Sequence, residues 1–91
     1  MKKLAVLRKQ LDTIDRKLIV LIGQRMKIAR KIGVLKMMFN LPIYQPRREK
    51  EILKHVASRA KRAGIEPSVA VHLFQLLFRA SRKAQHGTKK Q

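Results

Sequence analysis

The sequence predicts an all-α fold of three helices, the first much longer than the others. Three observations carry this. Leu4, Leu7, Leu11, Ile14, Leu18, Leu21, Arg25, Ile28, Ile32, Leu35 and Phe39 recur at alternating steps of three and four, and all but Arg25 are apolar. Such a seam belongs to one long helix whose narrow stripe meets other helices. Helix-stopping residues gather at two places, Asn40-Leu41-Pro42 and Gly64 to Pro67. No segment alternates apolar and polar residues as a half-buried strand does.

The elements follow in order. Helix one spans about residues 4–38 and ends at Asn40, Leu41 and Pro42. Gly23 is tolerated inside it at roughly 1 kcal/mol relative to alanine. Pro42 to Pro46 form the first connection, and Pro46 suits the first turn of helix two, where its missing N–H does no harm. Helix two spans about 46–62, with Gly64 as its C-terminal cap. Glu66-Pro67-Ser68 opens helix three, which runs to about residue 85. Residues 1–85 thus form one helical domain, and residues 86–91 a disordered basic tail without an apolar stripe.

Helix one is too long for a compact monomer. At about 1.5 Å per residue, 35 residues reach roughly 50 Å, whereas a domain of about 100 residues has a radius of gyration near 13 Å. Two short helices do not cover such a seam. A second copy is the simplest cover, so the sequence predicts a homodimer built around helix one.

Composition excludes several classes. Cysteine is absent, so neither disulfides nor thiol chemistry operate. The opening MKKLAVLRKQLD turns polar after Leu7 and has no secretory core, and Leu18 to Ile22 is too short to span a bilayer, so a soluble cytoplasmic protein is expected. The net charge of +18 invites a nucleic-acid reading. The cations, however, are spread along the whole chain rather than gathered in one segment, and the lone Tyr44 with three Phe offers no stacking platform. Nucleic-acid binding is therefore the lesser reading. His55, His72 and His86 have no partner at metal-ligand spacing. No Gly-rich phosphate loop, zinc motif or hydrolase triad is present, and no cofactor is expected.

Several polar residues interrupt apolar faces. Arg25 sits within the seam, and a buried guanidinium needs an anionic partner. Glu49, one of only five acids, continues the face of Ile52, Leu53, Val56 and Ala60. Ser81 and Gln85 continue the face of Phe74, Leu77 and Phe78, and Arg8 and Lys36 flank the seam. Plain structural readings exist for each: an Arg25–Glu49 ion pair, a solvated end of helix three for Ser81 and Gln85, and snorkelling flankers for Arg8 and Lys36.

The ordered set Arg8, Arg25, Lys36, Arg48, Glu49, Ser81 and Gln85 resembles the all-helical chorismate mutases, through the strings LRKQLDTID, LIGQRMKIARKIGVLK, PIYQPRREKEIL and LFQLLFRASRKAQ. The resemblance covers about residues 4–85. It implies a three-helix protomer intertwined into a homodimer with two active sites, which rearranges chorismate to prephenate on the way to phenylalanine and tyrosine. It further implies that Arg25 and Arg8 bind the two carboxylates of a small dianionic substrate. Lys36 and Gln85 would hydrogen-bond the ether oxygen of the breaking bond, and Glu49 would accept from the ring hydroxyl. Ser81 and Arg48 would hold the ring carboxylate end. Where the family usually has a second acid before helix two, this chain has Gln45, whose amide still accepts from a hydroxyl but adds no charge. The related isochorismate-pyruvate lyases also lack that acid, but they lack the acid at the Glu49 position too, so Glu49 favours the mutase.

Helix geometry supports the shared site that the resemblance implies. Arg25 and Lys36 lie about 16 Å apart along a helix, within reach of two converging long side chains. Arg8 and Lys36 lie about 42 Å apart and do not meet on one small ligand within one chain. If two copies of helix one cross antiparallel near Ile19, Arg8 of one comes level with residue 30 of the other, between Arg25 and Lys36. The implied reaction is unimolecular and needs no nucleophile, metal or general base. Gln85 needs no protonation, which predicts activity at neutral pH.

Overall fold

A computed structural model describes residues 1–88, and it is helical throughout apart from two short connections. Helix α1 spans Lys2–Met38, α2 Pro46–Arg62 and α3 Pro67–Thr88. The expected boundaries hold within about two residues except at the last end. There α3 continues through His86, Gly87 and Thr88, because no proline or left-handed residue interrupts it. Lys89 to Gln91 of the expected tail lie outside the described residues.

Two of the helix ends have the same chemistry. Asn40 (φ 53°) and Gly64 (φ 73°) adopt the left-handed conformation just past α1 and α2. After α1, the Leu41 N–H donates to the Lys36 carbonyl at 2.7 Å and the Asn40 N–H to the Met37 carbonyl at 3.3 Å. After α2, the Ile65 N–H donates to the Ala60 carbonyl at 2.9 Å and the Gly64 N–H to the Lys61 carbonyl at 3.2 Å. These paired bonds define the Schellman termination, which satisfies orphan carbonyls and turns the chain sharply. Pro42 and Pro67 follow shortly after and prevent the helices from continuing.

Helix α3 lies between the other two, packing on both α1 and α2, while α1 and α2 do not pack on each other. Val56, Ala60 and Ala70 form a small core with Ile52 and Phe74 against it. Phe74 and Phe78 meet edge to face at 6.3 Å. Among the described residues no large side chain is fully buried. The radius of gyration is 16.5 Å and the longest dimension 57 Å, larger than about 13 Å expected for a compact chain of this size.

The seam does not pack within the chain. All ten apolar seam residues keep at least 41% of their surface exposed. Helix α3 instead meets the neighbouring face of α1, where Ala29 and Gly33 are buried and Arg25, Met26 and Lys36 are half-buried. Residues 2–24 of α1 are exposed throughout. Gly23 leaves the helix unbroken. Among the described residues, no helix is long and apolar enough to cross a membrane.

Candidate active site

The α1 termination builds one wall of a cleft of about 370 Å³ between the C-terminal half of α1, the start of α2 and the end of α3. The turn at Asn40 returns the chain so that Ile43 is buried beside Lys36. Lys36 Nζ then donates to the Ile43 carbonyl at 2.8 Å and to Gln85 Oε1 at 2.8 Å. Burial pushes the Lys36 ammonium below its ordinary pKa, and the nearby Glu49 carboxylate opposes part of that shift. Two of its three N–H donors are used, which leaves one for a ligand.

Arg25 enters from α1 one turn above Ala29. Its Nη1 donates to Ser81 Oγ at 2.5 Å, and its guanidinium sits 5.7 Å from the centre of the Phe78 ring. Burial lowers its pKa without removing its charge. Ser81 and Gln85 are 8% and 7% exposed, so they are interior groups rather than a solvated helix end. Phe78, Ser81, Arg82 and Gln85 share one face of α3 by their spacing and all line the cleft.

The Arg25–Glu49 ion pair considered from the sequence does not form. Glu49 Oε2 instead accepts from Arg82 Nη1, and the Arg82 guanidinium stacks 5.0 Å from the centre of the Tyr44 ring. Arg48 pairs with Glu51 at 2.7 Å on the exposed rim. Exposed pairs of this kind contribute about 0–1 kcal/mol, so breaking this one costs little. Gln45 Nε2 makes a long contact of 3.4 Å to the Pro42 carbonyl at the same rim.

The cleft therefore gathers Arg25, Lys36, Gln45, Arg48, Glu49, Ser81 and Gln85. Arg8 is exposed on the projecting half of α1 and does not line it. Arg82 and Tyr44 are site features that the sequence reading missed. Arg82 shares the helical phase of Phe78, Ser81 and Gln85, and that phase was the available signal. Among the described residues, four cations (Arg25, Lys36, Arg48 and Arg82) and one acid (Glu49) line the cleft, an excess of positive charge suited to an anionic small molecule.

The sequence model of the family described as chorismate mutase type II matches residues 7–86. The chain belongs to the chorismate mutase type II family. A chorismate mutase from Methanocaldococcus jannaschii is 31% identical over 84 residues, covering 92% of this chain and 85% of that protein. A bifunctional chorismate mutase/prephenate dehydratase from Aquifex aeolicus is 37% identical over 83 residues, or 88% of this chain. The match spans only 23% of the Aquifex protein's length. Among solved structures, a conserved hypothetical protein from Pyrococcus furiosus superposes with a TM-score of 0.74 at 33% identity, covering 93% of this chain and 97% of that one. The family match runs from just before Arg8 to just beyond Gln85 and so includes every residue that lines the cleft.

Proposed function

We propose that this chain is a chorismate mutase, and that it converts chorismate to prephenate by electrostatic preorganisation, without a covalent intermediate. The observation that carries this reading is the convergence of Arg25, Lys36, Glu49, Ser81 and Gln85 from three helices on one small cationic cleft, in a chain of this family. The reaction breaks a C–O bond and forms a C–C bond within one flexible dianion. It is accelerated by holding the reactive conformer and by placing donors where negative charge develops.

The roles follow from the contacts. Arg25 is steered by Ser81 and Phe78 and takes one substrate carboxylate. Lys36 is held by two acceptors and directs its remaining N–H at the ether oxygen. Gln85, oriented by giving its carbonyl oxygen to Lys36, donates its NH₂ group to the same oxygen. Glu49 accepts from the ring hydroxyl. Ser81 and Arg48 hold the ring-carboxylate end, and the Gln45 amide is a further acceptor for the hydroxyl.

The reading includes an intertwined homodimer, in which Arg8 of the partner subunit completes each cleft. Its support is the exposed seam, the small core and the position of Arg8 about 26 Å along α1 from Arg25. A cytoplasmic location belongs to the same reading, as suits a biosynthetic enzyme acting on a soluble metabolite.

Gln45 makes isochorismate-pyruvate lyase activity the alternative to test. The experiment offers chorismate and isochorismate separately and identifies products. Prephenate from chorismate, with little pyruvate from isochorismate, is expected. Faster pyruvate release assigns the lyase instead, and a folded protein inactive on both contradicts the proposal.

A further inference from the structure

Among the described residues Glu49 is the only acid lining the cleft, because Gln45 stands where the family pattern has a second one. The ring hydroxyl therefore has one carboxylate to meet, and its position matters more than in a site with two. A glutamate side chain has three rotatable bonds and adopts several staggered conformers unless something holds it. The structure supplies that hold from α3.

Arg82 Nη1 donates to Glu49 Oε2, in a pair whose side chains are 30% and 23% exposed. Glu49 Oε1 has no hydrogen bond among the described residues. The guanidinium itself sits over the Tyr44 ring, 5.0 Å from its centre, a cation–π placement suited to arginine. Tyr44 belongs to the connection between α1 and α2, Glu49 to the first turn of α2, and Arg82 to α3. Three elements thus converge on one carboxylate.

Resting on the mutase reading, we infer that Arg82 is a positioning residue for the reaction. Held over Tyr44, it clasps Oε2 of Glu49 and leaves Oε1 for the substrate hydroxyl. It acts through Glu49 and not by direct contact with a substrate carboxylate. The same contact partly neutralises Arg82, which leaves Arg25, Lys36 and Arg48 as the cations that this chain's own cleft offers the dianion.

A double-mutant cycle tests this. Residues in direct contact couple, whereas independent ones add. Arg82→Met in the presence of Glu49 is expected to lower kcat/KM about tenfold, within the range for contacting pairs. In a Glu49→Ala background the same change is expected to cost less than about twofold. Arg82→Lys, which keeps the charge but loses the flat stacking fork, should recover part of the loss. Tyr44→Leu should lower activity in the same Glu49-dependent way. Circular dichroism on each variant separates folding loss from these effects, and Arg82→Lys keeps the test available if Arg82→Met does not fold.

Equal losses in both backgrounds, with KM raised, overturn the inference and make Arg82 a direct substrate contact. Equal losses accompanied by a lowered melting temperature overturn it and make Arg82 structural. Both outcomes presuppose an active wild type. A wild type that forms no prephenate removes the mutase reading itself.

Discussion

Replacing Gln85 by glutamate converts a donor that needs no proton into one that does. Gln85 is 7% exposed, and its Oε1 accepts from Lys36 Nζ at 2.8 Å. Gln85→Glu keeps the shape and the acceptor, but the substituted side chain donates to the ether oxygen only when protonated. An ordinary glutamic acid has a pKa of about 4.3. Burial raises that value and the adjacent Lys36 ammonium lowers it, so the ordinary value is the reference. Three pH units above it, about one site in 10³ is protonated. The variant should therefore lose about 10³-fold in kcat/KM between its acidic plateau and pH about 7.3, roughly 4 kcal/mol of transition-state stabilisation. Initial rates of chorismate loss from about pH 3 to 8 measure this, with a log–log slope near −1 above the plateau for the variant and a flat profile near neutral pH for wild type. A variant profile parallel to that of wild type would refute the role given to Gln85.

Two further outcomes follow from Lys36 and the seam. Because burial lowers the Lys36 pKa from its ordinary 10.5, kcat/KM should decline on a basic limb that begins below that pH, as the donor and its charge are lost. The corresponding limb of kcat should lie higher, since a bound dianion favours the charged lysine. A flat profile through pH about 10.5 contradicts the charged role. Leu18→Lys should break the assembly. Leu18 is half exposed in the protomer, so covering it contributes roughly 1 kcal/mol per chain, and two ammonium groups near the crossing cost several more. A dimer dissociation constant raised by at least about 10³-fold should appear in sedimentation velocity, and an unchanged dimer would remove the proposed crossing.

The helices were legible because their signals are local. The seam sets the length of α1, and Asn40 with Pro42, and Gly64 with Pro67, mark the stops that the Schellman bonds then realise. The packing of α3 was not legible. It uses Ala29, Gly33 and Lys36, one position round the helix from the expected Ile28, Ile32 and Leu35. Alanine and glycine carry little hydropathy signal, yet their small size lets another helix lie against them. Seven of the eight candidate site residues line the cleft; Arg25, Lys36, Glu49, Ser81 and Gln85 stood out as polar groups on or beside apolar faces, whereas Gln45 and Arg48 came only from the family resemblance. The partner of Glu49 was hidden for the opposite reason. Arg82 lies close to Arg79 and Lys83, and in a chain of +18 one more arginine reads as solvated surface.

Subunit complementation tests the shared cleft most directly. Arg8→Ala and Arg25→Ala homodimers each lose a carboxylate contact in both sites, and each should fall by about 10²-fold or more in prephenate formation. Unfolded and refolded together in equal amounts, they form heterodimers as about half of all dimers. Each heterodimer holds one site with both arginines and one with neither. The mixture should recover about a quarter of wild-type activity, far above either parent. A mixture no more active than its parents, with heterodimers demonstrably present, would contradict a cleft completed by Arg8 of the partner subunit.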